Sequence, residues 1–165
     1  CIFWSMKIFI ILFGFFLHMN ASAQLCIEGD CKDQNGTMIN TDGSKYTGSF
    51  VNGKSHGQGI LEYRNGDKYE GLFSEGLPHG YGNYSWSNGD VYEGEFSQGM
   101  KHGRGHIKYS QGEEYMGEFA NDLPHGKGSC LIRSLGRIDT FSVGLADKRE
   151  YKEVSCSWIE GKLIE

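Results

Sequence analysis

Three sets of side chains in this 165-residue sequence are of types that do chemistry. Histidines stand at His56, His79, His102 and His125, a constant step of 23 residues. Cysteines stand at Cys26, Cys31, Cys130 and Cys156, and acids recur at repeat positions such as Glu70 and Glu93. Histidine and cysteine suggest zinc, and histidine with glutamate suggests acid–base catalysis. The spacing argues against both. If the 23-residue unit is a hairpin, equivalent histidines lie two strands apart, about 9–10 Å. Zinc ligands lie about 2.0–2.1 Å from the metal, so histidines of successive units do not share one ion. They read instead as turn residues beside glycine. His102 and His106 are four apart, but outside a helix that spacing carries no HExxH meaning. No clustered Cys/His set occurs and the acids recur with the repeat, so no catalytic residue, metal or cofactor is expected.

The elements that carry these residues follow from the same period. Tyr46, Tyr69, Tyr92 and Tyr115 keep the 23-residue step, as do Phe50, Phe73, Phe96 and Phe119. Glycines keep it too, at Gly48, Gly71, Gly94 and Gly117, and in closing pairs such as Gly80/Gly82. A fixed period of this length marks a repeat array. Within one unit, Asn65-Gly66-Asp67 and Asn88-Gly89-Asp90 are turn signals. Between them lie two expected strands, Lys68–Ser74 and Tyr81–Ser85, joined by a turn around Gly76–Gly80. Glycine at every other position would cost a helix about 1 kcal/mol each. Strand alternation puts Tyr69, Gly71 and Phe73 on one face, with Gly82, Tyr84 and Trp86 on the same face of the next strand. A large ring on one strand can lie over a glycine on its neighbour, so the glycines and aromatics account for one another.

The expected fold is therefore all-β, an open antiparallel meander of about four hairpin repeats. The aromatic ladder comprises Tyr46, Phe50, Tyr63, Tyr69, Phe73, Tyr84, Trp86, Tyr92, Phe96, Tyr109, Tyr115 and Phe119. It reads first as the core itself, and second as a contact face on which a ligand could stack. On the polar face, Glu93 and Glu95 stand near Arg104, His106 and Lys108 for cross-strand pairing.

The flanks differ from the array. Cys1–Ser5 precede Met6 and read as upstream read-through. Residues 6–23 have the pattern of a secretory signal peptide: Lys7, then the apolar run Ile8–Leu17, then Ala21-Ser22-Ala23 as cleavage site. Ten apolar residues are too few to span a hydrocarbon layer about 30 Å thick. Export to a periplasmic or extracellular location is the expectation. Losing Lys7 would take the formal charge from −5 to −6, which disfavours nucleic acid as a partner. Four cysteines in an oxidising compartment allow three connectivities. Cys26–Cys31 would close a short N-terminal loop, and Cys130–Cys156 would tie down the C-terminal end. Residues 24–42 read as an N-terminal cap with a half-repeat, since Asn35–Gly43 aligns one period behind Gln58–Gly66. Residues 43–134 form the array. Residues 135–165 read as degenerate capping strands, in which Trp158-Ile159-Glu160-Gly161 repeats the Phe-x-x-Gly pattern with Cys156 at a glycine position. The mixed-charge run Asp147–Glu153 reads as a loop or solvated edge.

Tyr92-Glu93-Gly94-Glu95-Phe96 followed by Gly99, His102, Gly103 and Gly105 fits Tyr-x-Gly-x-Phe/Trp-x-x-Gly-x-x-His-Gly-x-Gly. In this the chain resembles the MORN (membrane occupation and recognition nexus) repeat family, from about Asn35 to Ile132. Asp122 departs from the pattern at a glycine position and Ile132 at an aromatic one. The resemblance implies an open antiparallel sheet acting as a scaffold, often with membrane or lipid association. Kinase and methyltransferase activities in the family belong to attached domains and do not carry over. The expected function is an exported, non-enzymatic scaffold for a protein or envelope partner. The alternative is a phospholipid-binding module, with glycan association a further partner class. Between Gly43 and Gly136 the basic and acidic residues nearly balance, so electrostatic attraction to anionic lipid is weak.

Overall fold

The computed structural model describes residues 24–133, 151–159 and 161–164. The expected signal segment, residues 6–23, and the stretch 134–150 lie outside the described residues. Among the described residues twelve strands form one antiparallel sheet in which every strand neighbours the next in sequence. They are β1 (Leu25–Gly29), β2 (Asn35–Ile39), β3 (Lys45–Val51), β4 (Lys54–Glu62), β5 (Lys68–Ser74) and β6 (Leu77–Ser85). The rest are β7 (Val91–Ser97), β8 (Met100–Lys108), β9 (Glu114–Ala120), β10 (Leu123–Arg133), β11 (Tyr151–Ile159) and β12 (Lys162–Leu163). The open meander is the architecture that the period demands.

The hairpin tips depart from expectation. The turn lies at Glu75-Gly76, not across Gly76–Gly80, and β6 starts at Leu77 rather than Tyr81. Both turn residues have positive φ, 53° and 90°, as do Asn52-Gly53, Gln98-Gly99 and Asn121-Asp122. Two such residues make a hairpin whose twist matches that of its strands, so no longer loop is needed. His56, His79, His102 and His125 accordingly sit on strands β4, β6, β8 and β10, which corrects their assignment to turns. The residues after the tip are absorbed in a bulge. The β5–β6 register slips between Gly71 and Phe73, and Gly80 takes φ 68° opposite the slip.

The core is the aromatic ladder. Tyr46, Phe50, Tyr69, Phe73, Tyr92, Phe96, Tyr115 and Phe119 are all buried, Tyr69 and Tyr92 completely. Tyr46, Tyr69 and Tyr92 each meet the phenylalanine of their own strand and that of the next unit edge-on, with centroids about 5 Å apart. Such pairs contribute about 0.5–1.5 kcal/mol each beyond their buried area. Under the rings runs an unbroken cross-strand row of glycines, Gly29, Gly36, Gly48, Gly59, Gly71, Gly82, Gly94, Gly105, Gly117 and Gly128. A Cβ on Gly82 would lie 2.4 Å from the Tyr69 hydroxyl, and one on Gly105 would lie 2.4 Å from that of Tyr92.

Both ends of the row close with sulfur. Cys26 and Cys31 form one disulfide, Cys130 and Cys156 the other. Cys156 stands opposite Gly128, where the next glycine would be. Val154 replaces the tyrosine of that unit, and the buried Cys130–Cys156 bridge packs there instead. At the other end the Cys31 sulfur lies where a Cβ on Gly36 would come within 2.9 Å. Strands β11 and β12 continue the array as a further unit. Trp158 meets Tyr115 edge-on at 5.8 Å, and Gly161 N–H donates to Pro124 carbonyl as Gly99 N–H does to that of Pro78. Tyr151–Glu153 belong to β11, so that part of the charged run is strand rather than loop.

Candidate interaction surface

The ladder face and the opposite face offer different chemistry. On the ladder face the deep row is sealed. Each tyrosine hydroxyl donates to a carbonyl three residues on: Tyr46 to Ser49 at 2.9 Å, Tyr69 to Leu72 at 2.8 Å, Tyr92 to Glu95 at 2.9 Å and Tyr115 to Glu118 at 3.0 Å. Burial pushes the Tyr46 phenol up to about 12, and those of Tyr69 and Tyr92 higher, so they act as neutral donors. Of the aromatic residues expected on a contact face, these rings and their phenylalanines are core.

A second, shallower aromatic row remains reachable. Tyr63, Tyr84 and Trp86 are half-buried, and Tyr109 is exposed. Tyr63 and Tyr84 have centroids 5.8 Å apart, Tyr84 and Trp86 4.6 Å apart. With Lys101 and Asp122 they line a recess of about 360 Å³. The Lys101 ammonium lies 4.9 Å from the Trp86 centroid and 3.7 Å from Asp122. Burial lowers its pKa against the pull of Asp122. Asp122 is the departure from the repeat's glycine. It tolerates φ 69°, and its carboxylate also accepts the Lys101 backbone N–H at 2.9 Å. The sequence offered one signal for this pair, the departure itself.

The turns between units are clasped by aspartates that pattern reading treated only as turn residues. Asp67 is buried and accepts the Ser87 backbone N–H at 2.8 Å and the Tyr84 hydroxyl at 3.0 Å. Asp90 accepts the Ser110 backbone N–H at 2.8 Å. The signal was available: each aspartate precedes its serine by 20 residues. These N–H bonds, foremost, hold both carboxyls below the usual range. The folded-state values lie below the unfolded one of about 3.9. The stabilisation is thus complete above that value and disappears as the pH falls through the folded-state values. Urea midpoints should fall between pH 6 and pH 3, and less so in an Asp67→Asn/Asp90→Asn variant. An equal fall in both proteins would rule the two aspartates out as the cause.

The opposite face is open and mixed in charge. Tyr81 and Met116 are 57% and 58% exposed. They border a recess of about 450 Å³ with Glu93, Arg104, Glu118 and Lys127. The expected pairing of Glu93 and Glu95 with the β8 cations is not what forms. His106 and Lys108 pair with Glu114 of β9, at 2.8 and 3.3 Å. Glu95 instead accepts the Arg104 backbone N–H at 3.0 Å, and Glu93 accepts the Tyr81 hydroxyl at 2.9 Å. Burial raises the Glu114 pKa, but the bonds from His106 and Lys108 outweigh it and hold the carboxyl below its ordinary range. The repeat-related histidines stand on separate hairpins. Among the described residues no three His, Cys, Asp or Glu converge on a metal-sized site.

A third recess, of about 440 Å³, lies at the C-terminal end between Tyr109, Pro124, Ile132, Val154 and Trp158. The Trp158 indole N–H is buried without a partner among the described residues.

Comparison with protein families gives a match over the array. The MORN repeat model fits four consecutive segments, residues 46–68, 69–91, 92–114 and 115–134. These segments tile the array with the 23-residue step and extend across more than half of the chain. No curated protein matches the chain.

Proposed function

Because the chain belongs to the MORN-repeat family, we propose that it is an exported, non-enzymatic scaffold whose open strand face binds a protein or envelope partner. The observation that carries this reading is the partition of the aromatic residues. Tyr69 and Tyr92 are wholly buried, whereas Tyr81 and Met116 stand exposed among charges of both signs on the other face. Exposed aromatic and methionine side chains ringed by polar groups are the usual anchors of a protein interface. Two disulfides suit an oxidising compartment, which supports export. Acids and histidines are spread by the repeat rather than gathered, which supports a binding role over catalysis.

The test is affinity capture with chemical cross-linking, comparing the purified protein with Tyr81→Ala/Met116→Ala. Both substitutions are on exposed positions, so the fold should hold. Capture of a defined, saturable partner should weaken at least tenfold in the variant. Equal capture by both proteins would remove this face from the function. Family membership also favours a lipid-binding alternative. Salt-sensitive co-sedimentation with vesicles containing anionic lipid, but not with neutral vesicles, would support that alternative instead.

A further inference from the structure

We propose that β1 is a detachable guard strand on the first edge of the sheet, held in place by a disulfide that thiols can reach. The first observation is how little else holds it. All five residues of Leu25–Gly29 are exposed, with Leu25 at 59% and Ile27 at 54%. The interior strands β5 and β7, by contrast, each bury a tyrosine, a glycine and a phenylalanine. Among the described residues β1 pairs only with β2, and that register slips between Cys26 and Glu28.

The second observation is the difference between the two disulfides. Cys130 and Cys156 are both buried, at 4% and 3% exposure, in the core. Cys26 is exposed while its partner Cys31 is buried. An incoming thiolate therefore has access to the Cys26 sulfur. Attack there forms a mixed disulfide and releases Cys31 as thiolate. A second thiol of the reductant then displaces Cys26. The protein gains two electrons and two protons, and a dithiol reductant leaves as its own disulfide.

The third observation limits what moves. The segment after β1 is anchored to the tip of the β3–β4 hairpin. Phe50 N–H donates to Gln34 carbonyl and Gly53 N–H to Lys32 carbonyl, both at 2.8 Å, while Asn52 N–H donates to the Asp33 carboxylate at 2.9 Å. Cys31 stays packed over Gly36. Gly29, with φ 73°, is the hinge between the anchored segment and the strand. Release of β1 leaves β2 paired with β3 on one side and unpaired on the other. Such an edge is a template for an added extended strand.

Dithiothreitol titration of the purified protein, with alkylation mapping and amide hydrogen exchange, tests this. Cys26 and Cys31 should become alkylated at reductant concentrations at least tenfold below those needed for Cys130 and Cys156. At that point the β2 amides bonded to β1 should exchange at least tenfold faster, with β5–β9 unchanged. The variant Cys26→Ser should show the same β2 exchange without reductant. Opening of Cys130–Cys156 first or simultaneously would overturn the proposal. So would β2 amides that keep their protection once Cys26–Cys31 is open.

Discussion

Gly82→Val is expected to destabilise the protein by about 3 kcal/mol, near the upper end for overpacking. The new Cβ would lie 2.4 Å from the Tyr69 hydroxyl and 2.6 Å from its ring carbons. Tyr69 has no room to retreat. It is fully buried, it touches Phe73 and Phe96 edge-on, and its hydroxyl is committed to the Leu72 carbonyl. Removing the ring is costly as well, with Tyr69→Ala expected to lose about 3–5 kcal/mol through the cavity it leaves. The double variant distinguishes interlock from coincidence. Valine at position 82 should cost far less once the ring is gone, giving a coupling of about 1–3 kcal/mol in urea unfolding. Additive costs would show that ring and glycine do not depend on one another. Gly76→Ala is the contrast: nothing lies within 4 Å, so only its φ of 90° opposes the substitution. That should cost about 1–2 kcal/mol.

Loss of the C-terminal disulfide should be the second large effect. Cys130→Ala/Cys156→Ala removes a bridge across 26 residues of sequence and is expected to cost about 3 kcal/mol. The reason is local as well as entropic. Val154 is too small to do what Tyr69 or Tyr92 does for its glycine pair, and the disulfide supplies the missing contact. Without it, β11 should loosen and the Tyr115–Trp158 contact should open. In a Trp4→Phe/Trp86→Phe background, the emission of Trp158 should shift to longer wavelength at lower denaturant than the unfolding of β5–β9. An unchanged midpoint with unchanged emission would show that strand pairing alone holds β11.

Much of this was legible from the period. The strand Lys68–Ser74 falls where alternation of Tyr, Gly and Phe places it, because a side-chain period of two admits no other element. Both cysteine pairs join as their positions at the two ends suggested. Less legible were contacts between units. Glu114 rather than Glu93 or Glu95 takes His106 and Lys108, because residues on β8 have neighbours on two sides and sequence does not rank them. The clasp from Asp67 to Ser87 crosses from one turn to the next, so it has no signature within a single unit.

The aromatic ladder marks the boundary between the two kinds of information. By itself the sequence determined that tyrosine, glycine and phenylalanine share one face of an open sheet, since that follows from local alternation and the 23-residue step. Only the tertiary structure decided their separate fates. Two-residue tips and a bulge in the hairpins β3–β4, β5–β6, β7–β8 and β9–β10 set the registers, and those registers place Tyr69 over Gly71 and Gly82 while leaving Tyr63, Tyr84 and Trp86 half-exposed. Burial is a property of neighbouring strands, and no single strand's pattern contains it.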